Sequence, residues 1–202
     1  MDIIKKLAEE LNIGRHQAEA AVKLIDEGNT IPFIARYRKE ATGSLDDEVL
    51  RNLDERLKYL RNLEERKNQV IASIAEQEKL TPELERSIRD AQTLVAVEDL
   101  YRPYKPKRRT RAMIAKEKGL EPLADLISMQ MVKEPLLQAA AAYISQEKGV
   151  ETAEDAIQGA KDILAERISD NAEYRTYIRN ATMNKGVVQS SAKDEKVQSV
   201  YE

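Results

Sequence analysis

The sequence predicts an all-α, multihelical protein. Residues with high helix propensity dominate its 202 positions, while glycine (7 residues) and proline (6 residues) are scarce. Apolar residues recur every three or four positions along most of the chain, as they do on the buried face of an amphipathic helix. We expect two packed helical subdomains joined by a long spine helix, and we place segment limits at residues 1–45, 46–183 and 184–202.

Two helices are predicted at the N-terminus, at residues 3–11 and 15–27, and each is followed by a glycine within three residues. Two helices joined by a short turn resemble a helix-turn-helix, in which the second helix enters the major groove of DNA. The second helix carries three acids and two basic residues, which phosphate would not attract. We therefore expect this hairpin to be mainly a packing unit.

A short helix is predicted from Pro32 to Gly43, with aromatic, apolar and basic residues interleaved. This pattern is compatible with a secondary basic patch that faces phosphate, formed by Arg36, Arg38 and Lys39. The interpretation we prefer makes Phe33, the only phenylalanine, a core anchor and pairs the basic residues with neighbouring acids.

A long helix is predicted after Ser44, which we assign as its N-cap. Its leucines and isoleucines at 50, 53, 57, 60, 71 and 74 form a heptad-like seam, interrupted by Glu64 and Lys67. A seam broken by charges is typical of a spine that packs on neighbouring helices.

Six shorter helices follow in the prediction, at residues 81–91, 113–118, from 122, 135–143, 152–168 and 170–181. The last of them is expected to expose Tyr174, Tyr177 and Ile178 on one face. From residue 184 onward the sequence is polar and helix-poor, with at most a weak strand at 197–201. We interpret this segment as the lead-in to further parts of a longer protein.

A cationic segment stands out on a chain whose formal net charge is −3. Residues 101–118 carry eight lysines and arginines and a single acid, Glu117. Pro103 and Pro106 predict a loop, and a cationic island usually meets a polyanion. We predict a nucleic-acid site whose cations and stacking rings are Arg102, Lys105, Lys107, Arg108, Arg109, Arg111, Tyr101 and Tyr104. The alternative is a solvated loop or a neutralised contact with another domain.

Catalysis has little support in the sequence. There is no cysteine, His16 is the only histidine, and no metal-binding, nucleotide-binding or nucleophile motif appears. No signal peptide or membrane-spanning run is recognisable either. We therefore predict no catalytic residue, no metal and no cofactor, and we expect a cytoplasmic binding or scaffolding protein that does not associate with a membrane.

Three stretches carry a family resemblance: GNTIPFIARYRKEATGSLDDE (28–48), VEDLYRPYKPKRRTRAMIAKEKGLEPLA (97–124) and AEDAIQGAKDILAE (153–166). Together they resemble the N-terminal region of the Tex family, bacterial transcription accessory proteins similar to eukaryotic Spt6. The resemblance implies a longer protein in which a YqgF domain, helix-hairpin-helix elements and an S1 domain follow. It also implies nucleic acid, RNA or DNA, and the transcription machinery as partners.

Two functions are compatible with these observations. In the first, the basic segment contributes a nucleic-acid contact that does not depend on base sequence. In the second, the helices form a scaffold or protein-interaction module that orients the YqgF and S1 domains and binds no nucleic acid itself.

Overall fold

The computed structural model describes residues 2–106, 108–130 and 134–191. These residues form twelve α-helices and one isolated β-bridge, between Ser145 and Val150, with no strand among them. The predicted all-α class is confirmed. No helix in this part of the chain combines the length and the apolar character needed to cross a membrane. The weak strand predicted at 197–201 lies outside the described residues.

The chain divides into two compact units, Met1–Lys105 and Pro106–Glu202. The long spine helix predicted from the sequence lies wholly within the first unit. The segment limits that we placed at residues 45 and 183 stay a prediction.

The first unit begins with a helical hairpin, α1 (Ile3–Leu11) and α2 (Arg15–Asp26), whose helices pack on each other. The Oδ1 atom of Asp2 accepts a hydrogen bond from the backbone N–H of Lys5 at 3.0 Å and so caps α1. Asn12 ends α1 in the left-handed conformation, with φ of 51°. Both helices match their predicted limits to within one residue.

The single short helix predicted between Pro32 and Gly43 is two helices, α3 (Ile31–Tyr37) and α4 (Lys39–Thr42). They separate at Arg38, whose φ of −126° is not helical. The amide nitrogen of Gln17, on α2, donates to the backbone carbonyls of Thr42 and Gly43 at 3.2 and 3.0 Å. This contact holds the end of α4 against α2.

Phe33 is not the core anchor that we predicted. Its neighbour Ile34 is fully buried, whereas 37% of Phe33 is exposed. Ile31, Ile34 and Ala35 lie on one side of α3 and pack on the core, so Phe33 lies on the other side. That interpretation was wrong because Phe33 points about 100° away from Ile34 around the helix, and the side of α3 that packs on the core is the one that carries Ile31, Ile34 and Ala35.

Helix α5 (Asp47–Glu76) is the 30-residue spine. Its N-cap is Asp46, whose Oδ1 atom accepts a hydrogen bond from the N–H of Val49 at 2.8 Å. The prediction that Ser44 caps the helix is wrong, because Ser44 lies in the turn before it with φ of 62°. The buried stripe of α5 consists of Leu50, Leu53, Leu57, Leu60, Leu63, Lys67, Val70 and Ile74.

Lys67 is a charged member of that stripe, with only 1% of the residue exposed. Its Nζ atom donates to Oε1 of Glu64 at 2.8 Å and to the backbone carbonyl of Arg89 at 2.7 Å. The charge that interrupts the seam in the sequence is therefore buried and paired within the fold.

Helices α6 (Pro82–Asp90) and α7 (Leu94–Tyr101) pack on the C-terminal half of the spine. Threonine hydroxyls cap both: Thr81 accepts from the N–H of Leu84, and Thr93 from that of Ala96, each at 3.2 Å. The shared core of this region is formed by Leu63, Val70, Ile74, Ile88, Ala91, Val97 and Tyr101.

The second unit contains α8 (Arg111–Glu117), α9 (Glu121–Ser128), α10 (Leu136–Ala141), α11 (Ala153–Asp170) and α12 (Ala172–Lys185). Helix α11 is central, because α8, α9 and α10 all pack on it. It begins with a capping box in which Thr152 and Asp155 exchange two hydrogen bonds of 3.1 Å.

Helix α12 continues to Lys185, four residues beyond its predicted end. Tyr174, Tyr177 and Ile178 are exposed on it, as predicted.

Candidate nucleic-acid interface

The basic segment, residues 101–118, begins at the last residue of α7 and runs through α8. The limit between the two units falls inside it, after Lys105, so its two halves belong to different units. Lys107, one of the predicted site residues, lies outside the described residues.

The two tyrosines of the first half are tied into the core of the first unit. Tyr101 is 8% exposed, and its hydroxyl lies 3.0 Å from Oγ of Ser73 on α5. Tyr104 is partly buried against the same core, and its backbone carbonyl accepts a hydrogen bond from Gln77 at 3.0 Å. The predicted stacking role of Tyr101 is incompatible with this position, because its ring offers no free face to a base.

The cations of the first half, Arg102 and Lys105, are exposed. The backbone N–H of Arg102 donates to the carbonyl of Glu98 and ends α7. The Nζ atom of Lys105 lies 3.9 Å from Oε2 of Glu98, a carboxylate that also accepts a hydrogen bond from Arg66 at 2.6 Å. The contact of Lys105 is long and solvated, so this lysine stays accessible to a polyanion.

The second half places three exposed arginines at the start of α8: Arg108, Arg109 and Arg111. Thr110 sits among them as the N-cap, and its hydroxyl accepts from the N–H of Met113 at 3.1 Å. Arg109 forms a surface ion pair with Glu117, with an Nη2–Oε2 distance of 2.7 Å. Arg108 and Arg111 form no ion pair with any residue that the structure describes.

The last two cations of the segment serve the fold of the second unit. The Nζ atom of Lys116 lies 3.3 Å from Glu121, and that of Lys118 donates to the carbonyl of Gly149 at 2.6 Å. A hydrogen bond from Arg167, and then one from Lys116, lowers the pKa of the Glu121 carboxyl below its usual range.

A second surface, which we call the aromatic–basic face, lies on α3 and α4 of the first unit. It consists of Phe33, Arg36, Tyr37, Arg38 and Lys39, all of them exposed. The predicted pairing of its cations with neighbouring acids is wrong, because none of the three forms an ion pair within the described part of the chain. The sequence did contain a signal for this surface: Phe33, Arg36 and Tyr37 are spaced three and four apart, which places them on one side of a helix.

Within residues 2–106, 108–130 and 134–191, no group of three or more histidine, aspartate or glutamate side chains is arranged to hold a metal ion. The single histidine, His16, is exposed on α2.

Comparison with known proteins identifies the family. Residues 1–75 match the family described as Tex-like protein N-terminal domain, and residues 133–201 match the one described as Tex central region-like. The chain belongs to the Tex family. In this Tex chain the aromatic–basic face lies within the first matched region, and the basic segment lies between the two.

Individual relatives agree with this assignment. The chain is 48% identical to the protein YdcI of Bacillus subtilis, over 98% of this chain and 28% of that protein. It is 47% identical to "Transcriptional accessory protein Tex" of Neisseria gonorrhoeae, over 93% of this chain and 24% of that protein. A Pongo abelii protein named "S1 RNA-binding domain-containing protein 1" is 32% identical over 94% of this chain and 19% of its own length. The Tex chain thus spans about a quarter of the length of these relatives.

Proposed function

We propose that this chain contributes a nucleic-acid contact, independent of base sequence, to a cytoplasmic transcription accessory protein of the Tex family. The contact is made by the exposed cations of the basic segment, which bind phosphate. The names of two relatives, "Transcriptional accessory protein Tex" and "S1 RNA-binding domain-containing protein 1", support transcription and RNA as the context.

The observation that carries the proposal is that Arg108 and Arg111 are exposed cations without an ion-pair partner among the described residues. Arg111 is also the first residue of α8, where a cation opposes the helix dipole and costs about 0.3–1 kcal/mol. An arrangement that is unfavourable in the isolated chain becomes favourable when a phosphate backbone approaches.

The role proposed is binding without catalysis. The pKa values of Glu10, Asp26 and Glu121 are all lowered, in each case first by a hydrogen bond from an arginine. Such carboxyls stay ionised at neutral pH and are poor proton donors, whereas a general acid needs a raised pKa.

The test is a binding titration of the 202-residue chain with fluorescently labelled single- and double-stranded DNA and RNA over a series of salt concentrations. The variant is Arg108→Gln/Arg111→Gln. The matched control is Arg86→Gln/Lys161→Gln, which removes two exposed cations of α6 and α11 that form no ion pair with the described residues.

We expect the variant to bind more weakly than the parent chain. We also expect its slope of log affinity against log salt on duplex DNA to be less negative than that of the parent by about 1.8, since each phosphate contact contributes about −0.9. The control should keep the slope of the parent. An unchanged slope in Arg108→Gln/Arg111→Gln would overturn the role of the basic segment. A 202-residue chain that binds no strand even at low salt would favour the scaffold function that the sequence left open.

A further inference from the structure

The aromatic–basic face differs from the basic segment because it combines cations with exposed rings. We propose that this face binds unpaired bases of single-stranded nucleic acid, with Tyr37 as the stacking platform and Arg36, Arg38 and Lys39 as phosphate contacts. The inference rests on the proposed function only in one respect, that the chain binds nucleic acid. The residues of the aromatic–basic face lie outside the basic segment, so the two sites can be tested separately.

The face is held firmly by the core beneath it. Ile34, on the opposite side of α3, is fully buried in the core of the first unit. The hydrogen bonds from Gln17 fix the end of α4. Because both helices are anchored, the outward side chains are presented with little loss of backbone entropy on binding.

Tyr37 is the most open ring of the pair. It is 65% exposed, whereas Phe33 is 37% exposed. The two ring centroids lie 5.3 Å apart with an interplanar angle of 46°, and the guanidinium carbon of Arg38 lies 5.2 Å from the Phe33 centroid. Phe33 is thus covered by Tyr37 and Arg38, while Tyr37 retains free surface on which a base can stack.

Charge selects the class of partner. Residues 31–42 carry three cations and one acid, Glu40, and the cations form no ion pair with described residues. A polyanion therefore complements this surface. The rings add a preference for bases that are free to stack, and in a duplex those base faces are occupied by neighbouring base pairs. The combination favours a single strand over a duplex.

The experiment uses the fact that the chain contains no tryptophan. Tyr37→Trp introduces a unique fluorophore on the face, and Tyr177→Trp introduces one at a tyrosine of α12 that is 75% exposed. Each variant is titrated with 12-nucleotide oligo(dT) and oligo(U) and with duplex DNA of the same length. We expect the single strands to quench the tryptophan at 37 and the duplex to leave it unquenched, with no quenching at 177.

Affinities measured in parallel test the energetic contribution of the ring. Tyr37→Ala should weaken binding of oligo(dT) by about 5- to 150-fold, the factor for losing one stacked base. Tyr37→Phe, which keeps the ring, should bind like the parent. Tyr177→Ala should also bind like the parent, and no variant should change duplex affinity.

Two outcomes overturn the inference while the proposed function stands. In one, oligo(dT) binds but neither quenches Tyr37→Trp nor is weakened by Tyr37→Ala. In the other, a polyglutamate peptide quenches Tyr37→Trp as strongly as oligo(dT) does, which identifies an acidic protein surface as the partner. Conversely, if Tyr37→Ala weakens binding and Arg108→Gln/Arg111→Gln does not, the role of the basic segment is overturned and the inference stands. If the parent chain binds no strand at low salt, the proposed function and the inference are both overturned.

Discussion

The hydroxyl of Tyr101 lies 3.0 Å from Oγ of Ser73 and thereby joins the last residue of α7 to the spine helix α5. The guanidinium carbon of Arg66, also on α5, lies 5.5 Å from the centroid of the tyrosine ring. Tyr101 is therefore a structural anchor at the start of the basic segment. It holds the first cations of that segment on a folded support.

Removing this anchor should reduce stability. We expect Tyr101→Ala to lower the free energy of unfolding by about 3–5 kcal/mol, as for other buried aromatic residues. Tyr101→Phe, which removes only the hydrogen bond, should lower it by about 0.5–1.5 kcal/mol. Urea unfolding measures both, and Tyr177→Ala, at an exposed site, should stay within about 0.5 kcal/mol of the parent. If Tyr101→Ala kept the stability of the parent but no longer bound single strands, the anchor role would be contradicted and the predicted stacking role of Tyr101 would be supported.

Local signals in the sequence predicted most of the helices. Helices are predicted to begin at residues 81 and 152, and the hydroxyls of Thr81 and Thr152 accept the hydrogen bonds expected of N-caps at those positions. Ser44 and Asp46 show the limit of this reasoning. Both are good capping residues two positions apart, and only the backbone conformation, with φ of 62° at Ser44, decides between them.

The candidate site was harder to predict, because it depends on which side of each helix faces the core. Val97 and Tyr101 are four residues apart, so the sequence did contain the signal that Tyr101 shares the buried side of α7. For Phe33 and Ile34 the sequence offered two adjacent apolar residues, and the packing of α3 on the core selects Ile34. Sequence spacing also does not reveal that Arg108 and Arg111 form no ion pair with the described residues, because that depends on which carboxylates the fold brings near them.

The buried charge of Lys67 should be essential to the packing of α5. Lys67→Ala leaves Glu64 without this partner and the carbonyl of Arg89 without this donor, so we expect a loss of about 3–5 kcal/mol. Adding Glu64→Gln should recover part of it, because the remaining side chain is then neutral. The control is Lys58→Ala on the same helix, whose 2.7 Å pair with Asp54 is exposed and should contribute less than about 1 kcal/mol. Equal losses at the two lysines would contradict the burial of Lys67.

Acid should weaken the first unit through Glu10. Arg56 donates two hydrogen bonds to this carboxylate, at 2.6 and 2.8 Å, and they lower its pKa below the ordinary value of 4.5. A carboxyl whose pKa is lowered by folding stabilises the protein fully above its unfolded pKa. That contribution is lost as the pH falls through the folded pKa.

Glu10→Gln should therefore lower the thermal unfolding midpoint at pH 7, and its difference from the parent should shrink below about pH 4.5. Glu9→Gln removes a charge from the same helix, where the contact with Lys5 is 3.9 Å and exposed, so we expect little effect. Midpoints measured from pH 7 to pH 3 test both. A difference for Glu10→Gln that stays constant across this range would exclude the ion pair as its source.

Gly159 should resist substitution although it lies in the middle of α11. Helix propensity alone predicts that Gly159→Ala stabilises the protein by about 1 kcal/mol. However, a Cβ atom there would lie 2.3 Å from Cδ1 of Leu120, whose side chain is buried and has little room to move. Overpacking of this kind costs about 1–3 kcal/mol, so we expect a net loss of up to about 2 kcal/mol.

A double variant separates this steric effect from propensity. Leu120→Ala alone should cost about 2–5 kcal/mol, but together with Gly159→Ala the loss should be smaller than the sum, because the new methyl group occupies part of the vacated space. Ala165→Gly, at an exposed position of the same helix, reports the propensity contribution alone and should cost about 1 kcal/mol. If Gly159→Ala instead raised the free energy of unfolding by about 1 kcal/mol, the side chain of Leu120 would not constrain position 159. The side chain of Leu120 would then have room to move away from a Cβ atom built 2.3 Å from it.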